Sequence, residues 1–160
     1  MRVTVADINC SALRHNFRVI RQRAASRHIM AIVKANAYGH GMTECAAIFR
    51  EEGTEFLGVA FADEAAELRA TGDRGRIVVL TPPLPEEAEL FCLHDLDVVA
   101  CSLPAMQAFS RAAVQHGITL RAHLYLDTGM RRDGIEPEAA VDFMHSCSAL
   151  PNISFVGVCT

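Results

Sequence analysis

Six short apolar runs, separated by stretches of helical periodicity, constrain this chain more than any other feature. They fall at 29–33, 57–60, 77–80, 97–100, 118–126 and 154–159. Runs that are continuously apolar, rather than alternating, suit strands covered on both faces, as in parallel sheets. Between them, Met42, Cys45, Ala46 and Phe49 follow helical spacing over 42–51. Asp63 is placed to cap a helix that ends near Gly72. Ser102 before Leu103-Pro104 starts another, and Gly117 stops it. Pro137 opens a further helix, which must end before Pro151. A strictly alternating βα chain means a parallel sheet, doubly wound or closed as a barrel.

Ahead of the alternation, Val3 to Ile8 reads as a separate strand. Ser11 to Ala24 reads as a helix with Leu13, Phe17, Ile20 and Ala24 on one face. The alternation stops within a strand pattern at Thr160, so an incomplete last unit, and hence a piece of a larger protein, is expected.

With 160 residues, the chain is long enough for a real core, burying about 70% of its unfolded surface. A net charge of −4 without clustered Lys or Arg argues against nucleic acid and anionic membranes. No apolar run approaches the ~20 residues that span a bilayer. The N-terminus lacks the apolar segment of a signal peptide. The six cysteines form no C-x-x-C pair and lie mostly in apolar surroundings, which reads as reduced core thiols of a cytoplasmic protein. Metal-ligand spacing is absent.

In either parallel architecture, chemistry gathers at the C-terminal ends of strands. Lys34, the chain's one lysine, sits there, after Ile29 to Val33 and within "VKANAYGHG". Beside apolar surface, a lysine loses its proton more readily and becomes a nucleophile for carbonyls, pyridoxal phosphate included. A solvated strand-end lysine is the alternative. Gly39-His40-Gly41 is no dinucleotide fingerprint, because position 44 is Glu44. In "LRAHLYLDTGM", the apolar Leu120, Ala122, Leu124 and Leu126 alternate with Arg121, His123, Tyr125 and Asp127. That polar series fits a barrel interior near its mouth, where polar groups partner each other, or an edge strand with one wet face. Arg132 and Asp133 follow in the loop, where ligand contacts gather.

"AIVKANAYGHG" closely resembles the pyridoxal-phosphate attachment motif of alanine racemases. "VTVADINCSALRHNFRVIR", "GVAFADEAAELRATG" and "HLYLDTGMRRDG" are similar to other segments of that family, and "FVGVCT" resembles its G-x-x-T-H strand without the histidine. The resemblance implies a fold-type III enzyme: a (β/α)8 TIM barrel followed by a β-rich C-terminal domain, working as a homodimer. It implies that residues 1–10 hold a strand of that second domain, and that 11–160 are the N-terminal part of the barrel, truncated after about six βα strands.

It also implies pyridoxal 5'-phosphate as cofactor and interconversion of L- and D-alanine as the reaction, supplying D-alanine for peptidoglycan. Lys34 matches the catalytic lysine that forms the Schiff base. Tyr38 matches the tyrosine on the cofactor phosphate. Arg132 matches the arginine that binds the substrate carboxylate and the cofactor's phenolic oxygen. Where many members carry a lysine, often carbamylated, that supports this arginine, the chain has Tyr125, which can hydrogen-bond Arg132 but supplies no carbamate charge. The second acid/base of the family is a tyrosine of the partner's C-terminal domain, so the chain alone is expected to be inactive. The alternatives are a serine or broad-specificity amino-acid racemase, and a non-catalytic pyridoxal-phosphate-binding protein.

Overall fold

A computed structural model describes residues 5–160. The chain divides into two compact units, Met1–Arg76 and Ile77–Thr160. The first holds helix α1 (Cys10–Ala24), strand β1 (Met30–Ile32), a one-turn helix α2 (Lys34–Gly39), α3 (Met42–Glu51), β2 (Phe56–Val59) and α4 (Ala62–Ala70). The second begins within β3 (Arg76–Val79). It continues with α5 (Ala88–Leu93), β4 (Asp97–Ala100), α6 (Leu103–His116), β5 (Leu120–Tyr125), α7 (Ala140–Ser148) and β6 (Ile153–Cys159). Single 3₁₀ turns, Pro85–Glu87 and Pro137–Ala139, lead into α5 and α7.

Each of the six apolar runs forms a strand, and every strand pair within a unit is parallel. β1 pairs with β2, placing Ala31 beside Leu57. β3 pairs with β4, β4 with β5 and β5 with β6. Full burial of all four β4 residues accounts for a run without alternation. Of the expected strand Val3–Ile8, residues 3 and 4 lie outside the described residues, and Val5 to Ile8 have no regular secondary structure.

In the first unit, Val33, Leu57, Val59, Ala65 and Leu68 are completely buried. Helix α1 starts where the Asn9 side chain accepts the Ala12 N–H, 3.0 Å away. Phe17 is its one buried residue, its ring 5.6 Å from that of Phe49 on α3. Ile20, expected on the same buried face, is 54% exposed. The stripe that meets α3 is narrow and is flanked by ion pairs: Arg14 and Arg18 both reach Glu52. On α3 itself, Met42, Cys45 and Ala46 are buried as expected, joined by Ile48, while Phe49 is half-buried.

In the second unit, Phe91 and Phe109 meet edge to face at 4.9 Å, both without exposure. Helix α6 runs between the start and stop read from sequence. Gly117 at its end has φ +64, a left-handed cap that residues with a side chain rarely adopt. Among the described residues, no helix is long and apolar enough to cross a membrane. The six cysteines are unbonded; Cys45, Cys92 and Cys147 are buried as expected, whereas Cys10 is exposed.

Candidate active site

The chain's one lysine stands where β1 ends. Val33, completely buried, anchors the strand by donating its N–H to the Gly58 carbonyl at 2.9 Å. Lys34 follows, half-buried. The next four residues, Ala35, Asn36, Ala37 and Tyr38, all have φ between +51 and +54. This is a turn of left-handed helix built from residues with side chains, and each position costs about 1–2 kcal/mol relative to the right-handed form. Runs of this kind persist only where the surroundings over-determine them, and they cluster at functional sites.

The surroundings here can be named. Ala37 N–H donates to the Val33 carbonyl at 2.8 Å and Gly41 N–H to the Asn36 carbonyl at 3.0 Å. The Asn36 side chain accepts the Met42 N–H at 2.8 Å, satisfying a free donor at the start of α3. Asn tolerates the left-handed region better than most residues, and Ala offers the smallest side chain that can occupy it. Gly39 and Gly41, at φ +87 and +90, complete the reversal into α3. One further bond comes from outside the turn: the Glu64 carboxylate accepts the Ala35 N–H at 2.7 Å. Tyr38 is 61% exposed. Among the described residues, neither the Lys34 amine nor the Tyr38 hydroxyl is engaged in a hydrogen bond or ion pair.

The second unit holds the other expected residues. Along β5, Leu120, Ala122 and Leu124 are buried, while Arg121, His123 and Tyr125 are half-buried on the opposite face. Because β5 pairs on both sides, it is not an edge strand. The polar series therefore partners internally, and it divides by depth. At the start of β4, Asp97 is completely buried. Its carboxylate accepts from Arg121 Nε at 2.6 Å and from His123 Nε2 at 3.0 Å. Arg121 also reaches Asp95 at 2.8 Å. Burial is the largest single influence on the Arg121 charge and opposes it, but the hydrogen bonds and charges of Asp97 and then Asp95 together outweigh it, and the guanidinium pKa ends above its ordinary value. Gly157 on β6 lies under the His123 ring, where a Cβ would come within 2.6 Å of Nδ1.

Toward the C-terminal end, the Arg132 guanidinium pKa is raised above its ordinary value, first by Tyr125 and then by Asp133. Arg132 Nε donates to the Asp133 carboxylate at 3.1 Å, and the side chain is otherwise open. Asp127 shapes the loop between them by accepting the N–H groups of Gly129 and Arg131 at 2.9 and 3.0 Å. Those bonds, Arg131's first, hold its carboxyl below the usual range.

Lys34 and Tyr38 thus share one turn, and Tyr125 acts on the Arg132 charge. Each pair follows the C-terminal end of a parallel strand. Arg121 and His123, read from sequence as part of a polar interior whose groups partner each other, do find an internal partner, the buried Asp97. Two residues escaped the sequence reading. Asp97 was hidden inside an apolar run, although a carboxylate at the first position of a buried strand demands a partner. Glu64 stood beside Asp63, which drew attention as the helix cap.

A chain of parallel βα units that delivers its one lysine on a left-handed turn at a strand's C-terminal end has the architecture of α/β proteins that gather their chemistry at that end. The comparisons with known proteins make the class specific. Residues 8–160 match the family described as alanine racemase, N-terminal domain. The chain is 36% identical over 161 residues to alanine racemase of Helicobacter pylori (strain HPAG1), covering 99% of this chain and 43% of that one. Among solved structures, alanine racemase of Clostridium difficile 630 superimposes with a TM-score of 0.91 at 30% identity, covering 98% of this chain and 43% of that one. A histidine racemase from Leuconostoc mesenteroides subsp. sake gives 0.83 at 31% identity, covering 92% and 41%.

The chain belongs to the alanine racemase family and carries its N-terminal domain. Its six parallel strands and their helices are those of an incomplete (β/α)8 barrel. It spans less than half the length of these relatives.

Proposed function

We propose that this chain is the cofactor-bearing barrel portion of an amino-acid racemase that interconverts L- and D-alanine in the cytoplasm, supplying D-alanine for peptidoglycan. The observation that carries the reading is the chain's only lysine, held at the end of β1 by a left-handed turn whose residues also match the family motif. Pyridoxal phosphate fits the donors present. An amine and a phenol without protein partners among the described residues stand four positions apart, available to an aldehyde and a phosphate.

Lys34 would hold the cofactor through Nζ, and Tyr38 would hydrogen-bond its phosphate. When bound, pyridoxal phosphate withdraws electrons from the substrate and acidifies its Cα–H. Arg132 would orient the substrate by its carboxylate, and Tyr125 would hold the guanidinium at a fixed angle. Lys34 Nζ, once free, would take or return a proton on one face of Cα. Racemisation needs a second acid/base on the other face. The reading assigns that group to a tyrosine of the partner subunit in a homodimer of the full-length protein.

A second reading changes only the substrate. One structural relative is named a histidine racemase, and Tyr125 stands where many family members carry lysine. A broad-specificity or non-alanine racemase is therefore the alternative.

The test is racemisation by the full-length protein with pyridoxal phosphate, over a panel containing L-alanine, L-serine and L-histidine, against a Lys34→Ala control. D-alanine formation abolished in the control supports the proposal. Turnover confined to another amino acid selects the second reading. Undiminished turnover in Lys34→Ala overturns both.

A further inference from the structure

We infer that Glu64 is the positioning residue that keeps the Lys34 turn left-handed. One carboxylate joins two separate segments. Oε1 accepts the Ala35 N–H at 2.7 Å. Oε2 accepts the N–H of Ala60 at 2.7 Å and of Phe61 at 3.3 Å.

The Oε2 bonds are ordinary for this position. Glu64 is the third residue of α4, where an acidic side chain reaching back to the cap residue's N–H is a common way to start a helix. The Oε1 bond is not. It crosses 29 positions of sequence to Ala35, the residue directly after Lys34 and the first of the four with positive φ. As at the start of any helix, the first N–H of such a turn lacks an acceptor within it. Ala35 is exposed, so water could take that role, but water would not fix the direction of the bond. The carboxylate does fix it, because Oε2 is already tied to the start of α4.

Three N–H donors on one group also require an acceptor at both oxygens. Ionised glutamate meets that need. Glutamine presents one acceptor oxygen and one NH₂, and so serves one segment but not both. Aspartate is a methylene shorter and cannot span them. The structural claim concerns the turn alone. The consequence for chemistry, a Lys34 amine held in one direction, rests on the reading of Lys34 as the cofactor lysine.

The test is residue-resolved hydrogen exchange on the 160-residue chain, parent and Glu64→Gln, with Asp63→Asn as the control. Asp63 Oδ1 accepts only the Glu64 N–H among the bonds described for it, so Asp63→Asn removes a carboxylate charge from the start of α4 without touching Ala35. In the parent, the Ala35 amide is expected to be protected although its residue is exposed. In Glu64→Gln, exchange at Ala35, or at Ala60 and Phe61, should rise about tenfold or more, as for loss of a charge-assisted hydrogen bond. The side that loses protection reports where the amide oxygen settled. Asp63→Asn should leave Ala35 unchanged.

An unprotected Ala35 amide in the parent would overturn the inference with no variant needed, so a poorly folding Glu64→Gln does not rescue it. Equal exchange at Ala35, Ala60 and Phe61 in parent and variant would overturn it too. Pyridoxal-phosphate titration followed by absorbance separates the two readings. Weaker binding in Glu64→Gln than in Asp63→Asn supports positioning of Lys34. Unprotected exchange in the variant together with no cofactor on Lys34 even in the parent would leave the turn assignment standing and remove the cofactor reading.

Discussion

Replacing Asp97 by alanine should be among the most damaging single changes in the second unit. The carboxylate is completely buried and takes hydrogen bonds from Arg121 Nε at 2.6 Å and His123 Nε2 at 3.0 Å. Breaking a buried pair from one side typically costs about 3–5 kcal/mol, because the remaining charge loses its partner. Here the lower part of that range applies: the Arg121 side chain is 27% exposed and keeps Asp95. At a urea slope of about 2 kcal/mol/M, a loss of about 3 kcal/mol moves the unfolding midpoint by about 1.5 M. The assay is equilibrium urea unfolding of the parent and Asp97→Ala chains. A companion, Asp97→Leu with Arg121→Met, should recover most of the loss, since it removes the stranded charge with its partner. A single-variant cost under about 1 kcal/mol, the range of exposed ion pairs, would refute the reasoning. So would a double variant as unstable as the single.

Gly157→Ala should cost about 1–3 kcal/mol by overpacking, since its Cβ would stand 2.6 Å from His123 Nδ1; measured against a His123→Ala background, which bears its own cost from Asp97, the Gly157→Ala cost should vanish, and an undiminished cost would place the strain elsewhere. The Glu52 carboxyl is held below the usual range, first by the hydrogen bond from Arg18 and then, against burial, by that arginine's charge. Its contribution is therefore complete above the ordinary carboxylate range and is lost as pH falls through the depressed value. Glu52→Gln should flatten the acid limb of urea midpoint against pH, and an unchanged slope would contradict this. Burial, with a smaller effect of Cys101, pushes the Cys159 thiol up to about 11. Iodoacetamide at pH 8 should accordingly modify exposed Cys10 well before Cys159, as read by peptide mass mapping, and equal rates would contradict that placement.

What could be read from the sequence follows from how local its causes are. β4 and α6 were legible because an unbroken apolar run, and a Ser-Pro start with a Gly stop, act within a few residues. The left-handed turn after Lys34 was not. Ala and Tyr at positive φ are held there by Asn36 and by Glu64, the latter 29 positions away, and no local propensity reports such a partner. The alternation of β5 was visible, but its division of labour was not. That Arg121, His123 and Tyr125 share a polar face was legible; that Asp97, on the neighbouring strand, takes the first two was not. Ile20 fitted helical spacing, yet spacing does not say how wide a stripe the neighbouring helix covers.

The central claim, that Lys34 is the residue built to carry the cofactor, is tested most directly by trapping. The 160-residue chain is incubated with pyridoxal phosphate, reduced with borohydride and mapped by peptide mass spectrometry. Because the sequence holds a single lysine, the competing amine is the N-terminus. One dominant reduced adduct is expected, on Lys34, forming at cofactor concentrations too low to label the N-terminal amine. Labelling of the N-terminus with Lys34 unmodified, or equal labelling of both, would contradict it.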